Sequence, residues 1–200
     1  MEIVIASRNK HKIAELQALL SKHVENVKLL SLNDVGLFED VEEDGKSFEE
    51  NAFIKARYAA KSGKISVGDD SGLCVNALDG APGIFSARYA GEHGNDAANN
   101  QKLLSELADK EDKSASFVCA FACVLPGGRE FAVEGRAHGV ITDKASGNGG
   151  FGYDPIFFLP ELGKTFADLS AEEKNAISHR GRAVEAFAKR LCEFIEKQGN

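Results

Sequence analysis

Two apolar runs, SFVCAFACVL (Ser116 to Leu125) and EFAVEGRAHGVI (Glu130 to Ile141), are separated only by PGGR. Each is long enough for a full strand and the link is turn chemistry, so a β-hairpin is expected at the middle of the fold. The flanking pattern is different. Glu2 to Ala6 reads as a short buried strand, and Ile13, Leu16, Leu19 and Leu20 mark one face of a helix running to about Lys22. Val27 to Leu32 is a second apolar segment, and the acidic residues 33–46 read as a loop. Ser47 and Glu50 form a capping-box pair for the helix FEENAFIKARYAAKS, which should stop near Gly63. Ile65 to Gly68 is a strand leading into two aspartates, and ALDGAPGIFSARYAG is a structured loop. Asp96 to Leu107 is amphipathic, with Leu103, Leu104 and Leu107 inward, and SGNGGFGYDPIFF is a glycine-rich loop ending in a strand. A last helix spans roughly Ser178 to Lys197, with Ala183, Phe187, Leu191 and Phe194 on one stripe. Strand–helix alternation around a hairpin predicts an α/β fold with a mixed sheet.

Composition narrows the functional classes. The charged fraction of 28% and apolar fraction of 43% are those of an ordinary globular chain. A net charge of −7 argues against a broad grip on nucleic acid, which needs a basic face, while leaving room for a local basic pocket. No apolar run approaches the roughly 20 residues needed to cross a bilayer. The opening MEIVIAS lacks a basic n-region, so no signal peptide is expected. Cys119 and Cys123 lie in an apolar run and no CxxC pair is present, which points away from zinc and towards a reduced, cytoplasmic setting.

Four stretches could carry chemistry. ASRNKHK places a polar turn at a helix start with Lys10 and Lys12, which reads either as an anion-binding turn or as an ordinary cap. In ISVGDDSGLCV, Asp69 and Asp70 follow a strand. Adjacent strand residues face opposite ways, so both can serve one task only if the strand has ended. A carboxylate at the end of a strand, joined by one from the acidic loop, suits Mg²⁺; an Asp-Ser-Gly turn is the plain alternative. GGFGYDPIFF sets Phe151 and Tyr153 among glycines that permit close backbone approach, either to stack on a base or to pack in the core. EEKNAISHRGRA gathers Lys174, Ser178, His179, Arg180 and Arg182 at a helix start, where cations oppose the dipole and invite a polar ligand. Neither Ser71 nor His11, His23, His93, His138 or His179 carries an elbow or triad signature.

With SRNKHKIAEL, SFEENAFIKAR, DDSGL, ALDGAPGIFSARYAG, GGFGYDPIF and EEKNAISHRGRA in this order, the chain resembles the inosine triphosphatase, or Ham1-like, family from Ile3 to about Leu191. The resemblance implies an elongated mixed sheet flanked by helices, forming one domain of two lobes over residues 1–200 with a central nucleotide cleft. It also implies a homodimer. The implied activity is Mg²⁺-dependent hydrolysis of ITP, dITP and XTP to the monophosphate and pyrophosphate. By the same resemblance Ser7, Arg8, Asn9, Lys10, His11 and Lys12 match a triphosphate-binding turn, although Ser7-Arg8 stands where many relatives have Thr-Gly. Asp70 matches the catalytic acceptor and metal ligand, supported by Asp69; Glu42 matches the second metal ligand, with Glu43 beside it. Ser71, Phe151, Gly152, Tyr153, Asp154, Lys174, His179 and Arg180 match substrate-contacting positions, and Asn51 and Arg88 fall on the phosphate side. A pyrophosphatase for modified pyrimidine nucleotides and a silent nucleotide-binding module are the competing readings.

Overall fold

A computed structural model describes residues 1–196. The strands are β1 (Glu2–Ile5), β2 (Lys28–Leu30), β3 (Ile65–Val75), β4 (Ser114–Val124), β5 (Glu130–Ile141), β6 (Phe157–Leu159) and β7 (Lys164–Thr165). They form one mixed sheet in the order β2-β1-β3-β4-β5-β6-β7, parallel at β1–β2 and β1–β3 and antiparallel at β5–β6 and β6–β7. The helices are α1 (Lys10–Leu20), α2 (Phe48–Ala59), α3 (Asp96–Glu106), α4 (Ala171–Ile177) and α5 (His179–Glu196). The expected hairpin is present: Leu125 N–H donates to the Arg129 carbonyl, and Gly127 and Gly128 supply the positive φ angles of the turn. The final helix reaches Glu196; the expected end at Lys197 lies outside the described residues.

Contacts divide the chain into two compact units. The first contains Met1–Asp70, Cys119–Gly135 and the residues from Arg180 onward; the second contains Ser71–Val118 and Arg136–His179. In the first unit strand alternation sorts the core onto two faces. Ile3, Ile5, Val67, Cys119, Phe121 and Cys123 pack with Leu16, Leu19 and Leu20 of α1 and with Ala183, Val184, Phe187 and Leu191 of α5. On the other face Ala120, Ala122 and Val124 pack with Ala52 and Ala56 of α2. The buried cysteine thiols are pushed up to about 12 by burial, as befits small apolar groups. The second unit has its own core, in which Leu73, Val75, Phe117 and Ile141 meet Leu103 and Leu107 of α3 together with Tyr153, Phe157 and Phe166.

Three local expectations change. β3 does not end at the aspartates but runs on to Val75, so Asp69 and Asp70 sit in mid-strand. Ser47 caps α2 through the Glu50 N–H, but the Glu50 carboxylate turns back to the Lys46 N–H, so the box is only half closed. The stretch AEEKNAI, which lies before the expected start of the last helix at Ser178, is a separate helix, α4, opened by a full capping box between Ser170 and Glu173. Ser178 donates its N–H to the Lys174 carbonyl and so closes α4, and α5 begins at the next residue, His179, close to the expected start at Ser178.

The approach of α2 to β3 is set by one glycine. A Cβ at Gly68 would lie 2.1 Å from the Ala52 carbonyl oxygen and 2.6 Å from the Ala56 nitrogen, both backbone atoms that cannot rotate away. Gly68→Ala should therefore push α2 off the sheet and cost about 2–3 kcal/mol. Thermal melting of the variant, with a clear fall in Tm, checks this.

Candidate active site

Strand parity decides what each aspartate meets. Asp69 continues the face of Val67, towards α1 and α5. It is 1% exposed and receives Lys12 Nζ at 2.8 Å. Burial would raise its pKa, but Lys12, Lys55 and Arg180 together hold it below the usual carboxylate value. Lys12 reaches this position from the first turn of α1, which Asn9 caps by accepting the Lys12 N–H. Arg180, in the first turn of α5, is buried and lies 3.5 Å from Glu15 of α1.

Asp70 continues the face of Gly68, towards α2. Asn51 and Lys55, one helical turn apart, lie beside the Ala52 and Ala56 surface that Gly68 admits. Asn51 Nδ2 donates to Asp70 Oδ2 at 3.0 Å while its Oδ1 accepts the Gly45 N–H at 2.9 Å, so one buried amide ties the aspartate to the acidic loop. Lys55 Nζ stands 3.5 Å from Asp70 Oδ1 and 2.6 Å from Glu43 Oε2. Burial raises the Asp70 pKa above the ordinary aspartate value, and Lys55 and Asn51 offset this only in part. Lys55 loses by burial but gains more from Asp70, Asp69 and Glu43, which keep it protonated. Glu42 is exposed; the ion pair to Lys55 is made by its neighbour Glu43.

The remaining residues of the N-terminal turn differ in role. Ser7 Oγ accepts the Asn9 N–H, Lys10 is exposed, and Arg8 reaches into the acidic loop rather than along the turn. The side chain of His11 lies outside the described residues.

In the second unit the glycine-rich loop is organised around Asp154, which is buried. Its Oδ2 accepts the Phe151 N–H at 2.8 Å and meets Lys174 Nζ at 2.5 Å. A Cβ on Gly150 would fall 2.0 Å from that same oxygen. Gly152 is held by α3: its N–H donates to Asp96 and its carbonyl accepts from Asn100. The two aromatic residues take different parts. Tyr153 is buried and donates to the Ser86 carbonyl, whereas Phe151 is 61% exposed with Lys174 Nζ 5.0 Å from its ring centre. His179 is buried and stacks on Phe117 at 4.8 Å between ring centres. Ser71 is half-buried, and Arg88 is exposed with its guanidinium 5.3 Å from the Phe85 ring centre.

The residue to which sequence reasoning assigned no role is Lys55. Its signal was present in SFEENAFIKAR, where Asn51, Ala52, Lys55 and Ala56 share one helix face. Two small residues there mark close packing, and the polar pair beside them is then carried against the neighbouring strand.

Known proteins resemble the chain in sequence and in fold. The family model described as "Ham1 family" matches residues 3–190. The chain is 50% identical over 199 residues to the dITP/XTP pyrophosphatase of Clostridium perfringens, covering 95% of this chain and 97% of that protein. Among solved structures it is similar to the Ham1 protein of Staphylococcus aureus, with a TM-score of 0.87, 44% identity and coverage of 96% and 98%. It is similar also to a HAM1 protein from Coxiella burnetii, with a TM-score of 0.88, 45% identity and coverage of 96% and 99%.

The two aspartates should respond oppositely to neutralisation. Asp69, with a depressed pKa, contributes stability above its unfolded value that is lost as pH falls through the folded one. Asp69→Asn should cost about 3 kcal/mol at neutral pH, because Lys12 and Arg180 lose a buried counter-charge. Asp70, with a raised pKa, favours folding in its neutral form, and that contribution is lost as pH rises through the folded value. Asp70→Asn should leave Tm at neutral pH unchanged or higher. Calorimetric melts of both variants at pH 7.5 test the contrast.

Proposed function

The chain belongs to the Ham1 family, and we propose that it hydrolyses the non-standard purine nucleoside triphosphates dITP, ITP and XTP to the monophosphate and pyrophosphate, with Mg²⁺ as cofactor. The observation that carries the chemistry is the array Glu43–Lys55–Asp70–Asn51. A cationic group stands between two carboxylates there, 2.6 Å from one and 3.5 Å from the other. Hard oxygen donors on either side of a cation fit Mg²⁺. Among the described residues no group of three or more His, Cys, Asp or Glu could hold a metal, so the other ligands would be waters and phosphate oxygens, the usual coordination of Mg²⁺ in phosphate chemistry. Asp70 and Glu43 would hold the ion, Glu43 being preferred to Glu42 because it is the residue that reaches Lys55. When bound, Mg²⁺ supplies charge neutralisation on the phosphate oxygens.

The chain's own groups do the rest. Asp70 accepts the proton of the attacking water, a task for which a raised pKa is suited. Asn51 fixes its orientation, and Lys12 and Lys55 contribute positive charge for the triphosphate. The exposed Phe151 ring supplies a stacking surface for the base, and a donor from His179 would favour a 6-oxo purine over the 6-amino group of adenine. Residues 1–200 act as one catalytic domain, in a homodimer and in the cytoplasm, and nucleic acid is not a partner at a net charge of −7. Among the described residues no helix is long and apolar enough to cross a membrane.

Incubation with Mg²⁺ and ITP, XTP, dITP, GTP or ATP, with pyrophosphate and orthophosphate assayed separately, should give pyrophosphate from the first three and little from the last two. Orthophosphate would overturn the cleavage position, and tight binding without turnover would favour a silent module. Asp70→Asn should lower kcat by about 10³-fold.

A further inference from the structure

Arg8 belongs to the turn in which cations would be expected to meet phosphate, yet its guanidinium is committed elsewhere. Nη2 donates to the Glu39 carbonyl at 2.6 Å and lies 3.4 Å from the Leu37 carbonyl, and Nη1 donates to Asp40 at 2.8 Å. The Asp40 side chain is 98% exposed, so that ion pair contributes little. Nη2 on the two carbonyls and Nη1 on Asp40 together span the planar fork of the guanidinium, a geometry that the single nitrogen of an ammonium does not reproduce.

Residues 37–47 contain no helix or strand, so their position depends on side-chain ties. Arg8 holds the segment at 37–40, where the Tyr58 hydroxyl also accepts the Glu39 N–H at 3.0 Å. Asn51 holds its far end through the Gly45 N–H. Between these ties lies Glu43, 2.6 Å from Lys55. Arg8, Glu43, Lys55 and Ser7 share the lining of one cavity of about 280 Å³.

We propose that Arg8 is a positioning residue: it clamps the acidic loop so that Glu43 is presented to Lys55 beside Asp70, and it does not serve as a phosphate contact. This rests on the reading of Glu43 and Asp70 as the pair that holds the cation.

The test compares Arg8→Lys and Arg8→Met with the unaltered protein, all full length. Amide hydrogen exchange is followed over residues 37–45 without metal, and kcat, KM for ITP and the half-saturating Mg²⁺ concentration are measured separately. Both variants should exchange at least about tenfold faster at the Glu39 amide while α1 and α2 keep their protection. The half-saturating Mg²⁺ concentration should rise about tenfold in both, with Lys no better than Met and KM for ITP little changed. Unaltered exchange over 37–45, or recovery of wild-type behaviour by Lys with a raised KM only in Met, would overturn the clamp. If the unaltered enzyme proves independent of divalent cations, the cation-holding reading falls, and the exchange data still decide the clamp.

Discussion

A strand turns its side chains to alternate faces, and β3 keeps that alternation through Asp69 and Asp70 instead of ending before them. The two carboxylates are therefore forced into different surroundings by one backbone rule. Asp69 enters the face covered by α1 and α5, where Lys12 and Arg180 compensate its burial. Asp70 enters the face covered by α2, where helix and strand approach closely enough for Asn51 and Lys55 to reach it. That approach in turn requires Gly68, since any Cβ there would overlap the backbone of α2.

The balance of desolvation against charge then separates the two aspartates. For Asp69 the surrounding cations outweigh burial, and the ion is stabilised in the fold. For Asp70 burial outweighs Lys55 and Asn51, and the neighbouring carboxylates of Glu43 and Asp69 push the same way. A carboxylate kept somewhat short of its counter-charge is a better proton acceptor and a poorer contributor to stability. Lys55 reconciles the two demands: it prevents Glu43 and Asp70 from repelling each other outright, yet serves both and so fully neutralises neither.

Much of this was legible before any coordinates. The hairpin and the two flanking strand–helix pairs follow from periodicity and turn residues, which are local. The continuation of β3 was not legible, because GDDSG reads locally as turn chemistry and only pairing within the sheet keeps it extended. SAEE carries the capping box of α4, but at seven residues the helix is too short for apolar periodicity to set it apart from the helix that follows. Lys12 and Arg8 lie in one turn, and sequence treats them alike as cations near a helix start. Their separation, one to a buried aspartate and the other to loop carbonyls, depends on where the acidic loop returns, some thirty residues later.

The aromatic loop shows how an exposed ring can nevertheless be held in place. Phe151 buries little apolar surface, so packing alone would leave it free to rotate away. Its backbone is instead fixed from several directions: Asp154 accepts its N–H, Asp96 and Asn100 hold the Gly152 peptide unit, and Gly150 leaves the room that the Asp154 carboxylate occupies. Lys174 compensates the buried charge of Asp154 and lies against the same ring. The ordering cost of the loop is thus met on folding rather than on binding, and a flat ligand meeting Phe151 would not have to supply it. Hydrogen bonding through the backbone achieves this without covering the ring, which apolar packing could not do.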